Sequence, residues 1–268
     1  MDDYLKANQN LWDQWTLEHE RSSFYDLAGF REGKDRLRSI ELSELGDVAG
    51  KSLLHLQCHF GLDTLAWARR GAVVTGVDLS EKSIALARSL SQELNIPSQF
   101  YCADIYKLPD MLSGEFDIVY TSYGVLHWLR DLGHWGEIIS YYLKPGGTFY
   151  IVEDHPFFRT FTKNEAAELR VANPYFFSPT PEQVEMTGSY ATDNQGETVS
   201  FYIWNHSLGE ILNSLIEAGL SIEFLHEYPY AARAKFPFMQ QGPDGWWRLP
   251  AGYIPIPFLF SLKALKPV

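Results

Sequence analysis

Apolar positions fall into three rhythms along the chain. Residues 1–46 carry them at helical spacing, with Leu5, Trp12, Trp15 and Leu17 predicting one helix. The aromatic turn Phe24-Tyr25-Asp26 follows, and then a polar-faced helix over 33–45. From Lys51 short runs that are apolar throughout alternate with amphipathic stretches. They predict strands over 52–57, 72–77, 99–102, 116–122 and 148–153, and helices over 62–70, 81–94 and 132–143. Strands apolar on both faces belong to a parallel sheet with helices packed on either side. Ser80 stands where an N-cap is needed before Glu81, and Lys144-Pro145-Gly146-Gly147 predicts a turn between helix and strand.

After Glu153 the rhythm breaks. Residues 155–205 are rich in Pro, Phe, Tyr, Thr and Gly, with strands predicted over 184–190 and 198–204 around the polar turn Thr192-Asp193-Asn194-Gln195-Gly196. The α/β pattern resumes with a helix over 208–218 ended by Gly219 and a strand over 221–226. A Pro- and aromatic-rich loop over 228–257 and a last strand over 258–265 complete the chain. The fold class expected is α/β: a Rossmann-like, doubly wound, mostly parallel seven-stranded sheet with N-terminal helices and an inserted antiparallel hairpin. Its parts are a helical cap (1–46), a ligand-binding core (50–153), an inserted substrate or lid region (155–205) and the remainder of the sheet (206–268).

Composition narrows the partners. The net charge of −12, without any clustered Lys/Arg run, argues against nucleic acid. No apolar run reaches the roughly 20 residues that span a bilayer, so no membrane partner is expected. Two cysteines, Cys58 and Cys102, give neither a disulfide framework nor a thiolate metal site, and MDDYLKANQN lacks the features of a signal peptide. A soluble cytoplasmic protein without a bound metal is expected. Aromatic residues make up 15% of the chain, a surplus that predicts a pocket or lid built from flat rings.

Chemistry concentrates in 52–80: a strand, a tight loop closing at Gly61, a helix stopping at Gly71, and a strand ending on Asp78. Such a unit leaves a crevice at the carboxyl ends of its strands for nucleotide-like ligands, and an acid at the second strand end accepts hydrogen bonds from ribose hydroxyls. A dinucleotide site ordinarily shows G-x-G-x-x-G, so that backbone can approach a pyrophosphate. Here the turn is Gln57-Cys58-His59-Phe60-Gly61, whose side chains suit a ligand without phosphates, such as S-adenosylmethionine.

The ordered set of Gly61, Asp78, Asp104, the strand Phe116-Asp117-Ile118-Val119-Tyr120 and the turn Leu143-Lys144-Pro145-Gly146-Gly147 resembles the class I S-adenosylmethionine-dependent methyltransferase family over residues 50–153, and more weakly beyond. The chain is also similar to a bacterial subgroup with the LHLQCHFG variant (Leu54 to Gly61) and a segment like Trp246-Trp247-Arg248-Leu249-Pro250. The resemblance implies S-adenosylmethionine as cofactor and methyl transfer to a small-molecule acceptor. Gln57, Cys58, His59 and Gly61 would line its methionine side, and Asp78 would take the ribose. Leu79, Ala103 and Ile105 would pack near the adenine, with Asp104 on its amino group. Ser122 and Tyr123 would pass the sulfonium. The family usually carries an acid where His55 stands and glycines at Gln57 and His59, so His59 or Tyr25 are candidates for substitute contacts.

Plainer roles stand beside these. Asp78 is also placed to cap the next helix, Asp104 to satisfy a turn, and His127 to pack. Where an acceptor needs a base, His155, directly after the fifth strand, then His127, with Asp154 orienting, are the candidates. The inserted hairpin, the N-terminal helices and the 228–257 loop are expected to close over the sheet edge and shape the acceptor pocket. A non-catalytic cofactor-binding protein and a nucleotide-dependent oxidoreductase are the rival readings. The acceptor, its target atom (O, N, S or C) and the oligomeric state stay open.

Overall fold

The apolar runs become strands whose alternate residues feed two separate cores. The computed structural model describes residues 2–162, 168–192 and 197–268. The chain begins with α1 (Asp3–His19), α2 (Leu27–Arg31) and α3 (Ser39–Leu45), then alternates β1 (Ser52–Leu56), α4 (Leu62–Arg69), β2 (Val73–Asp78), α5 (Glu81–Glu93), β3 (Ser98–Cys102) and β4 (Phe116–Ser122). It continues through α6 (Leu132–Tyr142), β5 (Leu143–Asp154), the hairpin β6 (Glu182–Thr187) and β7 (Thr198–Ile203), α7 (Leu208–Glu217) and β8 (Ser221–Tyr228). A two-residue pair, β9 (Gln240–Gln241) and β10 (Trp247–Arg248), lies in the late loop before β11 (Leu259–Leu265).

Seven strands form one sheet in the order β3-β2-β1-β4-β5-β11-β8, parallel except for β11, which runs antiparallel to both neighbours. The hairpin β6–β7 is a separate antiparallel pair. Leu53, Val74, Ile118, Tyr120 and Val152 enter one core with the side chains of α2 to α5. Their neighbours Leu54, Val119, Phe149 and Ile151 enter the opposite core, under α6 and α7. Period-two alternation thus splits each strand between two buried faces. Among the described residues no helix is long and apolar enough to cross a membrane, and no group of three His, Cys, Asp or Glu is placed to hold a metal.

Three local expectations change. The helix predicted over 33–45 is only α3, because Gly33 takes a left-handed φ of +98° and the Arg38 N–H is capped by the Glu41 side chain at 2.8 Å. Leu17 is exposed; α1 instead buries Asn8, Gln9, Thr16 and His19. Two of these polar groups are satisfied at a distance: Asn8 exchanges two hydrogen bonds with the Tyr202 backbone, and Gln9 donates to the Leu79 carbonyl. The Lys144–Gly147 turn is absorbed into β5, where a register irregularity against β4 and the Gly146 N–H bond to the Lys266 carbonyl take up the bend. The hairpin turn predicted around Thr192 has its residues 193–196 outside the described residues.

Candidate active site

β1 and β4 are neighbours in the sheet, and the chain leaves them toward opposite edges, so their carboxyl ends diverge. A cavity of about 330 Å³ opens there. Five described non-glycine residues hold a positive φ, and three of them, Gln57 (+57°), His59 (+51°) and Tyr123 (+36°), line this cavity. Left-handed backbone costs a residue with a Cβ roughly 1–2 kcal/mol, and such strain persists where the surrounding structure fixes it, often at functional sites. Gly61 ends the same loop at φ +77°; a Cβ there would lie 2.7 Å from the Phe100 ring. Only glycine fits.

At the β2 end Asp78 is fixed before any ligand arrives. Its two oxygens accept from the N–H groups of His59 (2.8 Å) and Ser80 (2.9 Å), and burial pushes its carboxyl up to about 6. Capping of the next helix falls to Ser80 itself, which accepts from Ser83 N at 3.0 Å. Asp78 thereby organises the β1 loop while its carboxylate faces the cavity. Leu79, Ala103 and Ile105 give an apolar slot beside it, and Asp104 lines the slot while accepting from Tyr106 N at 3.1 Å. This chemistry suits a ribose diol with an attached planar base.

On the far side of the β1 loop, the Gln57 amide donates to the Val125 carbonyl at 3.1 Å, which leaves its oxygen a buried acceptor without a partner among the described residues. Asp63 lies close by, held by Ser122 Oγ at 3.2 Å and raised by burial against the pull of Arg36. The sequence reading passed over Asp63, although an acid two residues after Gly61 was there to be seen. With Gln57 it supplies acceptors for an ammonium group. His55, in the position the family gives an acid, is buried, bonds Thr64 Oγ1 at 2.8 Å and is held down to about 3. It packs and does not carry charge. Cys58 is buried with its thiol raised, and Tyr25 bonds the Tyr190 hydroxyl at 2.5 Å, joining the cap to the hairpin.

Beyond β4, Glu153 organises the next wall. Its buried carboxylate accepts from the N–H groups of Gly124 (2.5 Å), Val125 (2.7 Å), Leu126 (3.2 Å) and Asp154 (2.5 Å). That turn carries His127 and Trp128. Burial and three nearby cations, Arg159, Lys235 and Arg233, hold His127 well below the ordinary imidazole range. Asp154 lines the cavity, paired with Lys235 Nζ at 2.5 Å and held ionised by that charge. A Cβ on Gly124 would lie 3.9 Å from both Asp154 Oδ2 and His127 Cε1, so these groups share one corner. His155 stays outside it. Its Nδ1 accepts from Phe157 N, its Nε2 sits 2.8 Å from Glu227, and it is 3% exposed away from the cavity, a cap for the turn 156–160.

Aromatic residues from α1, the 126–128 turn and the hairpin close the remaining side. Trp12 and Trp128 meet at 5.2 Å, Trp128 and Phe201 at 5.3 Å, and Trp15 and Tyr190 at 5.6 Å. The hairpin is tied to the turn by the Trp204 N–H bond to the His127 carbonyl. The wall joins α1 and the hairpin, two of the segments expected to close over the sheet edge, with the 126–128 turn between them.

These burials set an acid profile. His19 and His55 are held down to about 3, and burial also lowers His59 and His127, so all four stay neutral in the fold while the unfolded chain protonates them near 6.5. Falling pH therefore destabilises the fold below 6.5 through this set. Glu41 and Glu153 are raised to about 7 and Asp78 to about 6, so the fold takes up these protons before the unfolded chain does, which opposes the loss down to about pH 4.5. Urea midpoints followed by Trp fluorescence are expected to change little from pH 7 to 5 and drop steeply below about 4.5. A steady decline from pH 7 would contradict this balance.

Residues 54–151 match the family described as a methyltransferase domain. A ubiquinone biosynthesis O-methyltransferase of Chromobacterium violaceum is 34% identical over 164 residues, covering 61% of this chain and 64% of that protein, so the chain spans less than two thirds of this curated relative. Among solved structures, an S-adenosylmethionine-dependent methyltransferase from Mesorhizobium loti superposes with a TM-score of 0.61 at 22% identity, covering 88% of this chain and all of that one. A glycopeptide N-methyltransferase complexed with S-adenosylmethionine superposes with a TM-score of 0.55 at 16% identity, covering 91% of each. Residues 54–151 thus match a methyltransferase domain, and the chain has the fold seen in S-adenosylmethionine-dependent methyltransferases.

Proposed function

We propose that the protein transfers the methyl group of S-adenosylmethionine to a small-molecule acceptor. The observation that carries this reading is one continuous cavity. It runs from the Asp78 and Asp104 end, past the strained turns at Gln57 and Tyr123, to the aromatic wall and the His127–Asp154 corner. In this reading Asp78 holds the ribose and Leu79, Ala103 and Ile105 take the adenine, with Asp104 on its amino group. Gln57 and Asp63 receive the ammonium, and Ser122 and Tyr123 edge the sulfonium.

When bound, the cofactor supplies a methyl group on a positively charged sulfur together with its own thioether leaving group. The protein's work is alignment and exclusion of water. The rings of Trp12, Trp128 and Phe201 enclose the acceptor, and Gly124 leaves room for its reacting atom beside the turn. His127, kept neutral, is the group able to take the acceptor's proton, while Asp154 is committed to Lys235. The enclosed, ring-lined space suits a compact molecule better than a macromolecule.

The test is incubation with S-adenosylmethionine labelled in the methyl group, against a panel of small acceptors and against protein and nucleic acid. Label is expected in the small-molecule fraction alone, and Trp128→Ala is expected to lower kcat/KM for the acceptor by about tenfold or more while the cofactor still binds. Failure of the cofactor to bind, or label in macromolecules, would overturn the reading.

A further inference from the structure

We propose that the acceptor carries a carboxylate, and that Arg159 and Arg233 bind it at the end of the cavity beyond Asp154. The proposal rests on the methyltransferase reading and deepens it. Arg159 lies in the turn 156–160 after β5 and Arg233 in the loop after β8, and both line the cavity with Asp154 and His127.

Among the described residues the hydrogen-bond donors at this end exceed the acceptors left to them. Of the described carboxylates that act on Arg159, Glu153 spends its oxygens on backbone N–H groups, Asp154 is paired with Lys235, and Glu182 is exposed on the hairpin. Arg159 Nε is a buried donor without a hydrogen-bond partner among the described residues. Arg233 rests its guanidinium 4.8 Å from the centre of the Tyr190 ring, a contact that leaves its in-plane donors available. A buried guanidinium N–H without an acceptor is costly, and the planar fork of arginine matches a carboxylate in two parallel hydrogen bonds. In a chain of net charge −12 this is a local concentration of positive charge, sited where an acceptor would lie.

The placement has a consequence for His127. Arg159, Lys235 and Arg233 all face this ring and, after burial, are what hold its basicity down. A carboxylate seated on the two arginines offsets their field and makes the imidazole a better proton acceptor when the acceptor is present. Recognition and base strength are then coupled through the same two side chains.

The experiment is calorimetric titration of the full chain, saturated with S-adenosylhomocysteine, with benzoate, phenylacetate and 4-hydroxybenzoate, each paired with its uncharged amide. At least one carboxylate is expected to bind ten times tighter than its amide or better. Arg159→Met and Arg233→Met are each expected to erase that preference while keeping the S-adenosylhomocysteine Kd within about twofold, which also shows that the variants fold. No carboxylate preferred over its amide by the wild type would overturn the proposal. So would arginine variants that keep the preference, or that weaken S-adenosylhomocysteine instead, since the anion bound would then be the cofactor's own. Failure of the wild type to bind S-adenosylhomocysteine would remove the methyltransferase reading and this proposal with it.

Discussion

Asp78→Ala is expected to weaken binding of S-adenosylmethionine by about a hundredfold, read by titration calorimetry. The carboxylate is anchored by His59 N and Ser80 N, so its remaining lone pairs are already aimed when a ribose arrives. Hydrogen bonds to a charged group contribute about 1.5–3 kcal/mol each, and two ribose hydroxyls together account for roughly two decades of affinity. Alanine also strips the partner from the His59 N–H and lets the strained β1 loop relax. Asp78→Asn preserves the shape and loses the charge, so it is expected to cost about tenfold.

The same carboxyl gives a second readout. The hydroxyls donate to the ionised form, and burial has raised the group to about 6. Wild-type affinity is therefore expected to be flat above pH 7 and to fall as pH drops through about 6, whereas Asp78→Asn should lack that inflection. Equal affinity of wild type and Asp78→Ala would remove Asp78 from the site.

What the sequence disclosed about this site follows from how locally each feature is encoded. β1, β2 and β4 are short, mostly apolar runs of five to seven residues, and Asp78 ends β2, so its place at the crevice was legible. His155 looked equivalent to Asp154 by the same logic, one step further along the chain. Yet a strand end turns successive side chains to opposite sides, and the Glu227 contact holds His155 on the wrong one. The polar face of α1 was hidden for a different reason. Asn8 is buried because its amide completes the edge of β7, 194 positions away. A helix period cannot show that a polar residue has a distant backbone to satisfy. The cation cluster likewise needs the turn after β5 and the loop after β8 brought together, and no spacing rule links Arg159 to Arg233.

Glu153→Ala is expected to destabilise the protein by about 3–5 kcal/mol, among the largest effects available to one substitution here. One buried side chain satisfies four backbone N–H groups, three of them in the turn that follows β4. Each buried donor left without an acceptor costs about 1–3 kcal/mol, and water entering the vacated space recovers only part of that. Glu153→Gln retains one oxygen but turns an amide N–H toward groups that are themselves donors, so it is expected to lose about 2–3 kcal/mol. Both variants also free the turn that carries His127 and Trp128, so acceptor kcat should fall further than cofactor affinity. Urea unfolding gives the stability term, and exposed Glu185→Ala on the hairpin supplies the comparison, expected within about 0.5 kcal/mol of wild type. A loss below about 1 kcal/mol in Glu153→Ala would mean that the turn holds its shape without the carboxylate. The strained Tyr123–Gly124 backbone would then need another source of support.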